Sequence, residues 1–106
     1  MTFTIKQSDT SPSIQASLQD SNSTAINLTG ATVNFHMKLL GDTTTLNEEM
    51  TIIEPLTGLV RYDWQEGDTS VSGTYYAEIE VTYSDLSVET FPNTGNLVIV
   101  ITPELI

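Results

Sequence analysis

The stretch Thr32-Val33-Asn34-Phe35-His36-Met37-Lys38-Leu39 alternates polar and apolar residues without a break. A period of two is the spacing of a β-strand, whose successive side chains point to opposite faces of a sheet. Val33, Phe35, Met37 and Leu39 are therefore expected on a buried face, and Thr32, Asn34, His36 and Lys38 on a face in water. The reading extends outward from there. Tyr75, Ala77, Ile79, Val81 and Tyr83 alternate with Thr74, Tyr76, Glu78, Glu80 and Thr82. Val60, Tyr62 and Trp64 alternate with Arg61, Asp63 and Gln65, and Ile14, Ala16 and Leu18 alternate with Ser13, Gln15, Ser17 and Gln19. Phe3–Ile5 reads as a first strand and Leu97–Ile101 as a last one, with shorter strands at Met50–Ile53 and Val88–Phe91.

Turn-forming residues separate these runs: Asp20-Ser21-Asn22-Ser23, Thr29-Gly30, Gly41-Asp42, Pro55 to Gly58, Glu66-Gly67-Asp68, Asp85, and Pro92 to Gly95. No window carries a 3.6-residue apolar stripe, so helix is confined to at most one turn at Gln65–Val71. Short strands at this spacing predict an all-β fold, an antiparallel β-sandwich of seven to eight strands. Ser72-Gly73-Thr74-Tyr75-Tyr76-Ala77 opens the longest strand in the manner of a tyrosine corner, where a Tyr hydroxyl bonds back to upstream backbone, and this points to an immunoglobulin-like sandwich. Trp64 is the candidate core tryptophan. Phe35, Trp64, Tyr75, Ile79 and Ile99 are expected in one core.

The chain has 106 residues, which fits one domain over residues 1–106. With 14 acidic residues against 3 basic ones the net charge is −11, which disfavours both nucleic acid and anionic membrane surfaces. The absence of cysteine excludes a disulfide scaffold, a thiol nucleophile and Cys-ligated metal. The N-terminus lacks the charged start and apolar run of a signal peptide, and the apolar run Leu97–Ile101 is far too short to span a bilayer. Synthesis in a cytoplasm is expected.

Chemical constellations are sparse. His36 is the single histidine and lies on the polar side of its strand, so no Ser-His-Asp unit can be assembled. Glu78 and Glu80 share a strand face about 7 Å apart, within the range of glycosidase carboxylates, yet a solvated sheet face produces the same pattern. Glu48-Glu49 is read the same way. Asp63, Glu66 and Asp68 gather around Gly67 as candidate calcium ligands, with Asp20-Ser21-Asn22 a weaker set; side chains of this kind also form turns by bonding their own backbone. The reading assigns no metal, no cofactor and no enzymatic activity.

The last strand is more informative. Leu97-Val98-Ile99-Val100-Ile101 is apolar on both faces, whereas a strand with one wet face should alternate. Either a chain end (Met1–Phe3 or Leu105–Ile106) folds over the second face, or a partner covers it. With Leu97, Ile99 and Ile101 inward, Val98 and Val100 point outward and are expected to form, with Tyr76 and Leu59, an apolar docking patch on an acidic surface. A rival reading is a host-surface glycan-binding module that stacks sugars on Tyr76 and Tyr62 beside Glu66-Gly67-Asp68.

Five blocks carry a resemblance: Thr4-Ile5-Lys6-Gln7-Ser8-Asp9-Thr10-Ser11-Pro12, Leu28-Thr29-Gly30-Ala31-Thr32-Val33-Asn34-Phe35-His36-Met37-Lys38, Gly58-Leu59-Val60-Arg61-Tyr62-Asp63-Trp64, Gly73-Thr74-Tyr75-Tyr76-Ala77-Glu78 and Thr90-Phe91-Pro92-Asn93. In order and spacing they resemble the N-terminal domain family of tailed-phage baseplate upper proteins. The resemblance implies an immunoglobulin-like domain of the virion, without enzymatic role, that docks in many copies onto other virion structural proteins. A small tail, neck or baseplate component is the expected function, with a capsid decoration module as a variant. The bacterial host cytoplasm would be its site of synthesis, and contacts between copies of the chain are compatible with such an assembly. Two departures stand out. The family domain usually heads a longer chain, so functions of downstream parts do not transfer to a sequence that stops at Ile106. Asp85-Leu86 also stands where relatives often have Asp-Gly, which predicts a less ideal hairpin after Tyr83.

Overall fold

The computed structural model describes residues 1–42 and 45–105. Among them are nine strands: β1 (Thr2–Lys6), β2 (Ile14–Ser17), β3 (Thr32–Leu39), β4 (Thr45–Glu49), β5 (Thr51–Glu54), β6 (Leu59–Tyr62), β7 (Gly73–Thr82), β8 (Val88–Phe91) and β9 (Leu97–Thr102). They form a sandwich. The larger sheet runs β1-β9-β7-β3-β4 with β8 also on β7, and the smaller runs β2-β6-β5. The spine is β7, whose ten residues are long enough to hold three neighbours. Its one edge pairs with β3 from Leu39↔Tyr75 to Thr32↔Thr82. Its other edge takes β9 along Gly73–Ala77 and β8 along Ile79–Thr82, end to end.

The alternation sorts side chains as read: Phe35, Trp64, Tyr75, Ile79 and Ile99 are all buried in one core. Four rings join the sheets. Phe35 of β3 stacks on Tyr62 of β6 with centroids 5.2 Å apart, and Trp64 stands edge-on to both at 5.7 and 5.4 Å. Phe3 of β1 closes the cluster, 6.0 Å from Trp64. Offset and edge contacts of this kind add to the area term, so the cluster is a main anchor between the layers. The Tyr75 hydroxyl donates to the Val71 carbonyl at 2.6 Å, the back-bond of a tyrosine corner.

Four features depart from the sequence reading. First, pairing is not antiparallel throughout: β1 runs parallel to β9, from Thr2↔Val98 to Lys6↔Thr102. A parallel pair needs a long crossover, and here the rest of the chain supplies it. Second, β4 forms at Thr45–Glu49, an acid-rich segment without alternation, because the free edge of β3 offers it a backbone ladder. Third, the expected strand at Met50–Ile53 is shifted by one residue, to β5 at Thr51–Glu54. Buried Met50 donates its N–H to the Val33 carbonyl at 2.7 Å and marks where the chain leaves the large sheet for β5 of the small one. Fourth, residues 65–71 form turns rather than a helix; among the described residues the single 3₁₀ turn lies at Pro55–Thr57 and ends on Gly58.

Gly58 is required where it stands. Its φ is +68°, and an added Cβ would lie 2.6 Å from the Leu18 carbonyl oxygen. That close approach lets the Leu18 N–H reach the Gly58 carbonyl at 2.9 Å and pins the end of the small sheet.

Candidate docking surface

β9 lies between β1 and β7, and the register decides which outward side chains meet. One row across the large sheet is Thr2, Val98, Tyr76, Lys38 and Thr45; the next contains Thr4, Val100 and Thr74. Their neighbours along β9, Leu97, Ile99 and Ile101, are buried on the inner face. Val98 and Val100 are half-buried, and Tyr76 beside Val98 is 44% exposed. Neither described chain end covers them: Met1 is 78% and Leu105 97% exposed, and β1 lies beside β9 in the plane of the sheet. Ile106 is outside the described residues.

Leu59 is not part of this patch. It sits on β6 of the small sheet, paired with Ser17 of β2 and Glu54 of β5. Outward positions of the two layers face opposite ways, so the structure brings three of the four expected residues together. The sequence reading missed Thr2 and Thr4, which flank the valines, because alternation within β1 does not reveal which strand it will join.

Beyond Tyr76 the same face turns acidic. His36 Nδ1 of β3 is 3.7 Å from Glu78 Oε1 of β7, with Glu80 on β7 and Glu49 on β4 further along. A shallow groove of about 440 Å³ lies here, lined by His36, Lys38, Asn47, Tyr76, Glu78 and Asn96 among others.

Two of the three candidate calcium ligands bond within the protein. Asp63 Oδ1 lies 3.0 Å from Arg61 Nε. Asp68 Oδ2 accepts the Tyr62 hydroxyl and, at 2.8 Å, the Gln65 N–H, while Glu66 is exposed. Among the described residues no three metal-ligating side chains converge. The weaker set is a turn as well: Asp20 Oδ1 accepts the N–H groups of Asn22 and Thr24 at 2.8 and 2.9 Å. Tyr62 cannot stack on a sugar, since it is buried. Burial first, and then the Asp68 carboxylate, push its hydroxyl well above the ordinary tyrosine value. Burial likewise raises Tyr75, with the charge of Asp42 adding to it.

The sequence profile of the BppU N-terminal domain matches residues 2–103, nearly the whole of the chain. The chain belongs to the BppU N-terminal domain family. The family is that of the N-terminal domain of the baseplate upper protein, so this BppU domain is a structural component of a phage baseplate that contacts other virion proteins. No individual curated protein matches the chain. No helix among the described residues is long and apolar enough to cross a membrane.

Proposed function

We propose that this BppU domain is a small, non-catalytic component that docks onto a larger baseplate assembly through the outer face of β9 and β7. The observation that carries the reading is the pair Val98 and Val100, half-buried and uncovered beside Tyr76, on a chain of net charge −11. Covering what remains exposed of the two valines contributes about 1.5–3 kcal/mol, modest for one copy and substantial for many. Glu78 and Glu80 beyond Tyr76 favour Lys or Arg on that side of the partner, while Lys38 stands in the row of Val98 itself, and contacts of this kind weaken as salt rises.

The experiment is incorporation into particles. Val98→Asp or Val100→Asp should fold and melt like the parent and yet be absent from purified virions by mass spectrometry. Leu59→Asp, on the opposite layer, should incorporate normally. Normal incorporation of both valine variants overturns the reading.

A second reading, host-glycan binding, draws on the exposed Tyr76 ring beside the polar groove. Glycan-array binding lost on Tyr76→Ala would favour it over docking. For catalysis, the His36–Glu78 pair on an open sheet face is the strongest arrangement, and no hydrolysis that depends on Glu78 is expected; an activity abolished by Glu78→Gln would overturn this.

A further inference from the structure

β8 and β9 lie end to end along one edge of β7, and β1 covers the far side of β9 only. The β1 ladder ends where the Val98 N–H meets the Met1 carbonyl. Among the described residues β8 pairs with β7 alone. The register fixes which of its groups are free. The Tyr83 N–H bonds the Ser87 carbonyl at 2.8 Å, and pairing steps on through Val81↔Glu89 to Ile79↔Phe91. Bonded pairs alternate along an antiparallel ladder, so Glu89 and Phe91 turn their backbone groups toward β7. Val88 and Thr90 turn theirs to the open edge.

A short open edge is common by itself. This one is distinguished by the space beneath it. A slot of about 430 Å³ opens between the layers, walled by Ile79, Phe91 and Leu97 of the large sheet and by Ala16 and Leu18 below, with Met1 at its mouth. The first three and Leu18 are buried, inward positions of the core. About 150 Å³ holds a benzene-sized group, so aliphatic side chains fit the slot. Its lower rim is already bonded: the Leu18 carbonyl accepts the Ile26 N–H at 3.0 Å, and Gln19 bridges Ala25. The sandwich thus lacks, beside β8, both a strand and the inward side chains it would carry.

We propose that β8 accepts an extended segment of another baseplate protein as an added strand, with apolar side chains in the slot and Lys or Arg at the flanks. The open N–H and C=O groups of Val88 and Thr90 call for extended backbone. The slot calls for an apolar residue at every second position, since alternate side chains of a strand share a face. Charge sets the flanks. Asp20 lines the slot, Glu89 stands on β8 itself, and among the described residues no Lys or Arg lines the slot. A net charge of −11 repels a second copy and attracts a basic segment. The family makes other virion proteins the natural source of that segment. The edge is separate from the outward valines of β9, so this pairing does not rest on the docking face.

Hydrogen exchange in purified virions tests the occupancy. The amides of Val88 and Thr90, open in the free domain, should exchange at least tenfold more slowly in the particle. The chemistry is read by titrating the free domain with the synthetic peptide acetyl-Lys-Val-Thr-Val-Thr-Val-Lys-amide. It should slow the same two amides and shift the resonances of Leu18 and Phe91. Exchanging both peptide Lys residues for Glu should weaken binding at least tenfold. Methylating every second peptide nitrogen should abolish binding for one set of positions and spare it for the other, because only one set faces β8. Thr90→Pro removes an N–H that the domain does not use and should lose binding with an unchanged circular dichroism spectrum. Should that variant fail to fold, the methylated peptides carry the same test on the parent. Equal exchange in particle and free domain, a Lys peptide that leaves both amides unchanged, or equal binding of the Lys and Glu peptides overturns the proposal. So does equal binding of the two methylated forms. Val98→Asp should bind the peptide as the parent does, which separates failure here from failure of the docking face.

Discussion

The loop between β6 and β7 and the hairpin between β7 and β8 use the same tie. In each a tyrosine hydroxyl donates to a carboxylate six residues on, Tyr62 to Asp68 and Tyr83 to Glu89. The surroundings differ. The first tie lies against the ring cluster, its loop is held by buried Thr69, whose hydroxyl donates to the Asp9 carbonyl at 2.7 Å, and its positive-φ position is Gly67. The second stands at the rim. Its turn is closed by the Leu86 N–H on the Tyr83 carbonyl and by Asp85 Oδ1, which accepts the Ser87 N–H and hydroxyl. These bonds hold the Asp85 carboxyl below its ordinary range. The positive-φ residue here is Leu86, at φ +72° and 79% exposed, with no packing to offset the strain. The core shapes the first loop; beyond the packing of Tyr83, local hydrogen bonds shape the second.

The strongest way to break this contrast is through the rings. Phe35→Ala removes the face on which Tyr62 stacks and should cost about 3–5 kcal/mol in urea denaturation. A loss under about 1 kcal/mol would show that the cluster does not anchor the first loop. Asp68→Ala comes next. It strips the acceptor from a buried hydroxyl and from the Gln65 N–H, a loss of about 1–3 kcal/mol, whereas Glu89→Ala should cost under about 1 kcal/mol because water replaces it. Equal losses at the two sites would erase the distinction.

Leu86→Gly should stabilise by about 0.5–1 kcal/mol, since glycine adopts this φ freely and the leucine packs on nothing. The corresponding exchange in the other loop, Gly67→Ala, should destabilise. The smallest effect is alkaline. Burial, then the hydrogen bond to Glu89, push the Tyr83 hydroxyl up from 10.0 to about 12. The folded form thus holds its proton more tightly than the unfolded chain. That contribution is complete below pH 10 and disappears as the pH rises toward about 12. Melting temperatures followed across this window should fall less steeply for Tyr83→Phe than for the parent.

Much of the candidate docking face was legible in the residues. The unbroken apolar run Leu97–Ile101 marked β9 as a strand with something to cover on both sides, and its odd-numbered residues are the buried ones. The Gly-x-Tyr start of β7 marked the hydroxyl back-bond that the structure contains. The grouping of Leu59 with Val98 was not legible. Both are outward apolar residues on alternating strands, and nothing within either strand says to which sheet it belongs.

That is the general division in this protein. Side-chain alternation along β3, β7 and β9 by itself decided which residues face the core, because a pleated strand has only two sides and water accepts only one of the two sets. Composition decided that the surface is acidic and free of thiol chemistry. Only the tertiary structure decided that β1 lies parallel to β9, that Thr45–Glu49 becomes an edge strand, and that Asp68 accepts the Tyr62 hydroxyl. Period two carries no information about a strand's neighbour or direction; both follow from which edge remains unpaired once the core has closed.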